Sequence, residues 1–190
     1  MIEYVLKGSD EIFKQFSTER DYRVRIDDSF TGKFSFRGGR DVLFQDEYMK
    51  SSMDGDGSHP ALIYARSNAG RVIIDSCELD ARDGEGLDAF VFGREMHLPN
   101  LGRVLIDNCR IYGGKSTNGN KRHADCIQFY GDVLYLSVKN TDFICQYQGA
   151  YINPQCNIGG IRMENVTFQY LNDEGNGYAF FLNTGEDEHI

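Results

Sequence analysis

Proline and long apolar runs are scarce in this chain of 190 residues. It has three prolines, and no stretch approaches the ~20 apolar residues that span a bilayer, so we expect no membrane-spanning segment. The first residues also lack a basic segment followed by an apolar run, and we therefore expect no signal peptide.

Paired cysteine motifs and an excess of basic residues are also missing. The five cysteines form no CxxC pair and no Cys/His spacing suited to zinc, which argues against a disulfide framework or a zinc site. The 29 Asp and Glu outnumber the 20 Lys and Arg, for a formal net charge of -9. This charge repels phosphate backbones and anionic membranes, so we expect neither a nucleic-acid nor a membrane partner.

A strand repeat is present where helical patterning is absent. The segment that begins at Arg71 recurs from Arg103, a spacing of 32 residues, with Arg, Val, Ile, Asp and Cys in register. Further copies begin at Tyr135 and Gly160, and a weaker one begins at Asp41. A second strand type alternates with the first. This order of strand, corner, strand and loop predicts an all-β solenoid whose coils hydrogen-bond to one another.

Cysteines recur at the corner of this repeat. Cys77 and Cys109 occupy equivalent places, which Thr141 and Val166 fill in the next two copies. A column of small, weakly polar side chains is typical of a solenoid interior. We therefore expect the two cysteines to be buried and stacked, without a bond between them.

The beginning of the chain is predicted to be a cap. Residues 1–20 contain a strand-like segment followed by Ser9–Phe16, which has an N-cap Ser and the apolar spacing of a short amphipathic helix. Such a helix would cover the edge of the first coil. Residues 21–190 would then form the coils of the same single domain.

The cap, the repeated strands and the segment His123-Ala-Asp125-Cys-Ile-Gln128 resemble the pectate-lyase-like right-handed parallel β-helix superfamily, in which an H-x-D-G-I-Q-like strand start is frequent. The resemblance covers residues 1–184 and implies a single-stranded right-handed parallel β-helix. That superfamily includes polysaccharide lyases, hydrolases, epimerases, phage tailspikes and non-catalytic virion proteins, so it does not imply one activity. This chain has Cys126 where the pattern often has Gly.

Long loops precede the second strand type and are expected to form one rim. The richest loop contains Lys121, Arg122 and His123 and leads into Asp125, which aligns with Asp88 one coil earlier. If the chain is an enzyme, these five residues are its candidate catalytic groups, since two carboxylates one coil apart approach the ~5–5.5 Å separation found in retaining glycosidases. The competing interpretation is structural: the carboxylates accept backbone N–H bonds and the histidine anchors the loop.

Two ligand sites are also predicted on this rim. Gln128, Tyr130 and Tyr151, with Asn153, would line a sugar groove.

Calcium is a second possibility, because Asp83, Glu85 and Asp88 could supply oxygen ligands, although their spacing is not that of an EF-hand. No other cofactor is expected.

The same strands predict self-association, as a trimer or within a larger protein assembly. Alternation would point Val91, Ile152 and Phe181 outward as a contiguous apolar patch, and such patches usually mark an interaction surface. A register shifted by one residue would instead expose Tyr151 and Asn153 and favour a sugar groove.

Two functions remain open. The first is a non-catalytic structural or adhesion protein, a phage virion component found in the virion or in the host cytoplasm during assembly. The second is a polysaccharide lyase or glycoside hydrolase that acts on an acidic polysaccharide. Enzymes of this fold normally need a longer groove than five or so coils supply, which favours the first function.

Overall fold

The computed structural model describes residues 1–51, 53–55, 61–66, 70–93, 102–116, 124–153, 156–171 and 179–182. In these ranges the chain forms strands and no helix, and thus no helix that could cross a membrane. The strands are β1 (Ile2–Leu6), β2 (Ile12–Gln15), β3 (Asp21–Ile26), β4 (Phe34–Arg37), β5 (Asp41–Gln45), β6 (Tyr48–Lys50), β7 (Ala61–Arg66), β8 (Arg71–Asp75), β9 (Glu78–Asp80), β10 (Asp88–Gly93), β11 (Arg103–Asp107), β12 (Arg110–Tyr112), β13 (Asp125–Phe129), β14 (Tyr135–Cys145), β15 (Gln148–Ile152), β16 (Ile161–Tyr170) and β17 (Phe180–Leu182).

Two all-parallel sheets are built from these strands, consistent with a β-solenoid. The ten-stranded sheet has a first face, formed by β1, β3, β5, β8, β11 and the beginnings of β14 and β16. It continues around a corner into a second face, formed by β6, β9, β12 and the ends of β14 and β16. The third face is the seven-stranded sheet, in the order β17-β15-β13-β10-β7-β4-β2.

The sequence repeat lies in register on the first face. Arg71–Asp75 pairs with Arg103–Asp107, which pairs with the beginning of β14, and β14 pairs with β16. Every one of these pairings is parallel, so the strands predicted from the repeat are confirmed. Alternate residues, among them Val72, Ile74 and Val104, are fully buried and form the core between the faces.

The corner between the first and second faces requires a left-handed backbone. Asp46, Ser76, Asn108, Asn140 and Asn165 have φ angles of 57°, 55°, 52°, 47° and 55°. Asn and Asp tolerate this conformation better than other residues that carry a Cβ. Side chains of neighbouring coils also bond to each other, because Asn108 Nδ2 donates to Ser76 Oγ at 3.1 Å and Asn165 Nδ2 to Asn140 Oδ1 at 3.0 Å. These bonds link the corners of neighbouring coils, Asn108 to Ser76 and Asn165 to Asn140.

Replacing Asn108 by Val should lower the free energy of unfolding by about 2 kcal/mol, because a β-branched side chain is strained at positive φ and the ladder bond is lost. Replacing Asn108 by Gly should cost about half as much, since glycine accepts this backbone conformation and only the bond is lost. Urea denaturation measures both values. Equal losses for the two variants would contradict the explanation by backbone strain.

The corner cysteines are buried and unbonded, as the repeat predicts. Cys77 is 3% and Cys109 5% exposed, and all five cysteines of the chain are free. Each of the two thiols donates to a backbone carbonyl two residues earlier, that of Asp75 or Asp107. Burial raises the pKa of Cys77 to about 12 and that of Cys109 to about 11, so both remain protonated and unreactive at neutral pH.

The predicted capping helix is wrong. Ile12–Gln15 is strand β2 and pairs in parallel with β4. An isolated helix of this length is marginal, whereas the strand satisfies its backbone groups on β4. Phe16, just beyond the strand, is buried and stacks on Tyr22 with ring centroids 4.1 Å apart. Pairing and this aromatic contact therefore override the helical spacing.

Candidate functional site

The outer side of the third face carries a column of side chains that, apart from Val91, are polar or aromatic. Tyr64, Val91, Gln128 and Tyr151 lie in register on β7, β10, β13 and β15. The adjacent positions along these strands, such as Phe129, are buried in the core. Because successive side chains of a strand point to opposite sides, this column points away from the core.

The register of β15 corrects one expectation and supports its stated alternative. Ile152 lies opposite Phe129 and is 1% exposed, so it belongs to the core and does not point outward. Tyr151 and Asn153 are half-buried instead. Val91 does belong to the outward column, but it is fully buried, so it contributes no exposed apolar surface.

We call the surface formed by Tyr64, Gln128, Tyr130, Tyr151 and Asn153 the outer strip. Gln128 Nε2 donates to Tyr130 Oη at 2.6 Å, which holds both side chains in place. Gln128 is 4% exposed, whereas Tyr130 is 43% exposed. The strip therefore contains an accessible aromatic ring, that of Tyr130, which is held by a hydrogen bond from the nearly buried Gln128.

Two arginines adjoin one end of the outer strip, and the sequence reasoning missed them. Arg37 and Arg66 lie in register on β4 and β7. The Arg66 guanidinium lies 4.5 Å from the centroid of the Tyr64 ring, and Arg37 Nη2 donates to Gln15 Oε1 at 2.8 Å. The sequence does carry a signal for them: in two successive strands of the third face, an arginine directly follows a buried residue. These side chains place positive charge on an otherwise acidic protein.

A pair of carboxyl groups is buried where β10 and β13 begin. Asp88 is 2% exposed and Asp125 is fully buried, and the backbone N–H of Asp125 donates to Asp88 Oδ1 at 2.7 Å. The predicted alignment of the two residues one coil apart is confirmed. Within the described ranges, neither carboxyl oxygen of Asp125 has a hydrogen-bond partner. Asp88 thus plays the structural role predicted as the alternative to catalysis: its carboxylate accepts a backbone N–H bond from the next coil.

Burial changes the protonation of this pair. It raises the pKa of Asp125 to about 7, and burial together with the charge of Asp125 raises the pKa of Asp88 well above its usual value. The pKa of Tyr130 is raised by its own burial and then by the charges of Asp88 and Asp125, which places the pair within electrostatic reach of the outer strip. The pair can therefore hold a proton near neutral pH.

Lys121, Arg122 and His123 lie outside the described residues.

The three calcium candidates lie apart. Asp83 is exposed and forms an ion pair with Lys50 at 2.8 Å. Glu85 is also exposed, and its backbone forms an isolated β-bridge with that of Lys115. Asp88 is buried beside Asp125. In the described part of the chain, no three side chains of the metal-binding types His, Cys, Asp and Glu come together.

Comparisons with protein-family models, curated proteins and solved structures give no match. The function is therefore inferred from the outer strip and the buried carboxyl pair.

Proposed function

We propose that this chain is a non-catalytic adhesion protein, a single-stranded right-handed parallel β-helix that binds a polysaccharide along the outer strip as a component of a phage particle. The register of β13 and β15 carries the proposal, because it places Tyr151 and Asn153 outward beside Gln128 and Tyr130. The resemblance to the pectate-lyase-like superfamily supports the fold and the virion setting, since that group contains non-catalytic virion proteins.

The chemistry of the outer strip suits a carbohydrate. Tyrosine presents an apolar ring face to the C–H side of a sugar and a hydroxyl to its polar edge. The half-buried amide side chain of Asn153 can donate to and accept from sugar hydroxyls, while Gln128 holds the Tyr130 hydroxyl in place. Successive coils repeat at ~4.8 Å along the solenoid, so one linear polymer can contact several coils at once. Weak contacts to each coil then add up.

The burial of the carboxyl pair argues for binding without catalysis. A general acid or nucleophile must come within hydrogen-bond reach of the substrate, about 2.6–3.2 Å. Asp125 is fully buried and Asp88 is 2% exposed, so neither presents an oxygen to a sugar lying on the strip.

Replacing Tyr151 or Tyr130 by Ala should weaken polysaccharide binding at least about 10-fold, because each change removes a stacking surface. Titration calorimetry against a panel of polyuronates and neutral glycans measures the affinity. Tyr48→Ala is the matched control, since Tyr48 is 54% exposed but lies on the second face. Loss of binding in the control alone, or no binding of any glycan by the unchanged protein, would contradict the proposal.

An enzyme acting on an acidic polysaccharide is the second candidate. Two observations favour it: the pKa of about 7 at Asp125, which suits a general acid, and the arginines Arg37 and Arg66 beside the strip, which could attract uronate carboxylates. An absorbance assay for unsaturated uronates detects a lyase, and a reducing-sugar assay detects a hydrolase. Turnover that Asp125→Asn abolishes would replace the adhesion proposal by the enzyme.

A further inference from the structure

Two buried cysteines from successive coils are in contact at the corner where the second face meets the third. Cys126 lies near the beginning of β13, and Cys145 is the last residue of β14, 19 residues later in the chain. Their sulfur atoms are 3.5 Å apart. Both residues are fully buried, and both thiols are free. A disulfide bond is about 2.05 Å long, so the remaining gap is of the size that rotation about χ1 can close.

The surroundings of Cys126 hold its thiol close to Cys145. A Cβ atom added at Gly113 would lie 3.2 Å from the sulfur of Cys126, so glycine leaves the space that this thiol occupies. The same sulfur lies 3.6 Å from the backbone carbonyl oxygen of Ile144, the residue before Cys145. The contact between the two sulfurs is therefore part of the packing of this corner.

This sulfur-to-sulfur contact distinguishes the pair from the corner cysteines of the repeat. The thiols of Cys77 and Cys109 donate to the backbone carbonyls of Asp75 and Asp107, as described above. In the pair, Cys126 instead has a second thiol as its neighbour. Two thiols in contact can be joined in one covalent bond, which a thiol directed at a carbonyl cannot form.

We infer that Cys126 and Cys145 are a dithiol that a low-molecular-weight disulfide, such as oxidised glutathione, converts into a disulfide that locks two successive coils together. One thiolate attacks the small disulfide, forms a mixed disulfide and releases one small thiol. The second thiolate attacks the protein sulfur of the mixed disulfide, forms the Cys126–Cys145 bond and releases the second small thiol. The two protons pass to the released thiols, and the two electrons that the cysteines lose reduce the small disulfide.

Burial determines when this exchange can take place. Burial, and then the neighbouring thiol of Cys145, raises the pKa of Cys126 well above its usual value, so the reactive thiolate is rare in the folded protein. The small disulfide must therefore reach the pair while the chain folds or when this corner opens. We expect exchange with the folded protein to be at least about 100-fold slower than with the unfolded chain.

The bond should stabilise the fold. It closes the loop between two residues that are 19 positions apart, and it joins elements that already pack against each other. Constraining a loop of this size in the unfolded chain should raise the melting temperature by about 5–10 °C. Dithiothreitol should reverse the increase.

Refolding in a glutathione redox buffer tests the inference. The full chain is reduced, unfolded in urea and refolded in this buffer, and the remaining thiols are then blocked with N-ethylmaleimide. Chymotrypsin can cut after Tyr147 and Tyr151, which separates Cys145 from Cys156, so mass spectrometry identifies each pairing. The Cys126–Cys145 peptide should exceed every other pairing at least about 10-fold. The same analysis during incubation of the folded chain measures the slow exchange.

Two variants separate this bond from a general effect of oxidation. Cys145→Ala should lose the increase in melting temperature between the reduced and the oxidised protein. Cys109→Ala is the matched control, because it also removes a buried thiol, and it should retain the increase. Each variant is compared only with its own reduced form, so the cost of the cavity cancels. Cys145→Val, which keeps more of the side-chain volume, takes the place of Cys145→Ala if that variant does not fold.

Cysteines that all remain reduced would overturn the inference, and so would a predominant pairing other than Cys126–Cys145. A glutathione adduct that persists on either residue, or a disulfide that lowers the melting temperature, would overturn it as well. The peptide map of the unchanged protein decides the pairing even where a variant fails to fold. None of these results concerns the binding of glycans to the outer strip, so the two proposals fail separately.

Discussion

Replacing Asp125 by Asn should raise the free energy of unfolding by on the order of 2 kcal/mol above about pH 7 and leave it nearly unchanged near pH 4. The cause is the burial of a carboxyl group whose pKa is about 7 in the folded protein, against an ordinary value of 3.8. The neutral acid is tolerated in the core, whereas the carboxylate is not. Asn is neutral at every pH and has nearly the same shape.

The direction of the change in the free energy of unfolding follows from the direction in which folding shifts the pKa of Asp125. A carboxyl group whose pKa is raised on folding contributes its full stability below the pKa of the unfolded chain. That contribution is lost as the pH rises through the folded pKa, which is about 7 for Asp125. The difference between the variant and the unchanged protein should therefore grow between about pH 4 and about pH 7 and then remain constant.

Urea denaturation at a series of pH values measures this difference. Asp83→Asn is the matched control, because Asp83 is exposed and its pKa is lowered by Lys50. In that variant the free energy of unfolding should fall instead of rise, and only slightly. A difference for Asp125→Asn that does not change with pH would show that the pair is not protonated on folding, and it would remove the general acid from the enzyme candidate.

Replacing Phe36 by Ala should lower the free energy of unfolding by about 3–5 kcal/mol, one of the largest losses expected in this chain. Phe36 is fully buried, and its ring lies 5.4 Å from the Phe34 centroid and 6.0 Å from the Phe44 centroid. Truncation removes apolar contact area and leaves a cavity beside Phe34 and Phe44 that cannot collapse without moving whole strands.

Phe13→Ala is the matched control for Phe36→Ala. Phe13 lies on the same sheet but in the outward column, is 48% exposed, and contacts Arg37 and Arg66 with its ring. Its loss should cost less than about 1 kcal/mol. Chemical denaturation of the two variants side by side compares inward and outward positions of one sheet. Similar losses would contradict the assigned alternation.

Prediction from the sequence succeeded where a residue type recurs at a fixed spacing. The repeat from Arg71 to Arg103 predicted parallel strands in register, and the corner cysteines predicted a buried stack. Both depend on periodicity, which stacked coils must repeat because each coil contacts only its neighbours. Prediction failed for Ser9–Phe16, where one amphipathic segment fits either a helix or a strand and pairing with β4 made the choice.

The site was only partly predictable for a related reason. The alignment of Asp88 with Asp125 could be seen in the sequence, but their burial could not, since it depends on the three-dimensional packing of the coils. The outward position of Tyr151 depended on a register that the sequence left open by one residue. A slip of one residue exchanges the two sides of a strand, so a small ambiguity reversed the choice between Ile152 and Tyr151.

The sequence by itself determined the parallel all-β strands of the repeat and the buried cysteine column, because each is encoded in a local repeat. Only the tertiary structure decided the strand at β2, the outward side of β15 and the burial of the carboxyl pair. These features arise between coils that are distant in the chain, where backbone pairing and desolvation outweigh local preference.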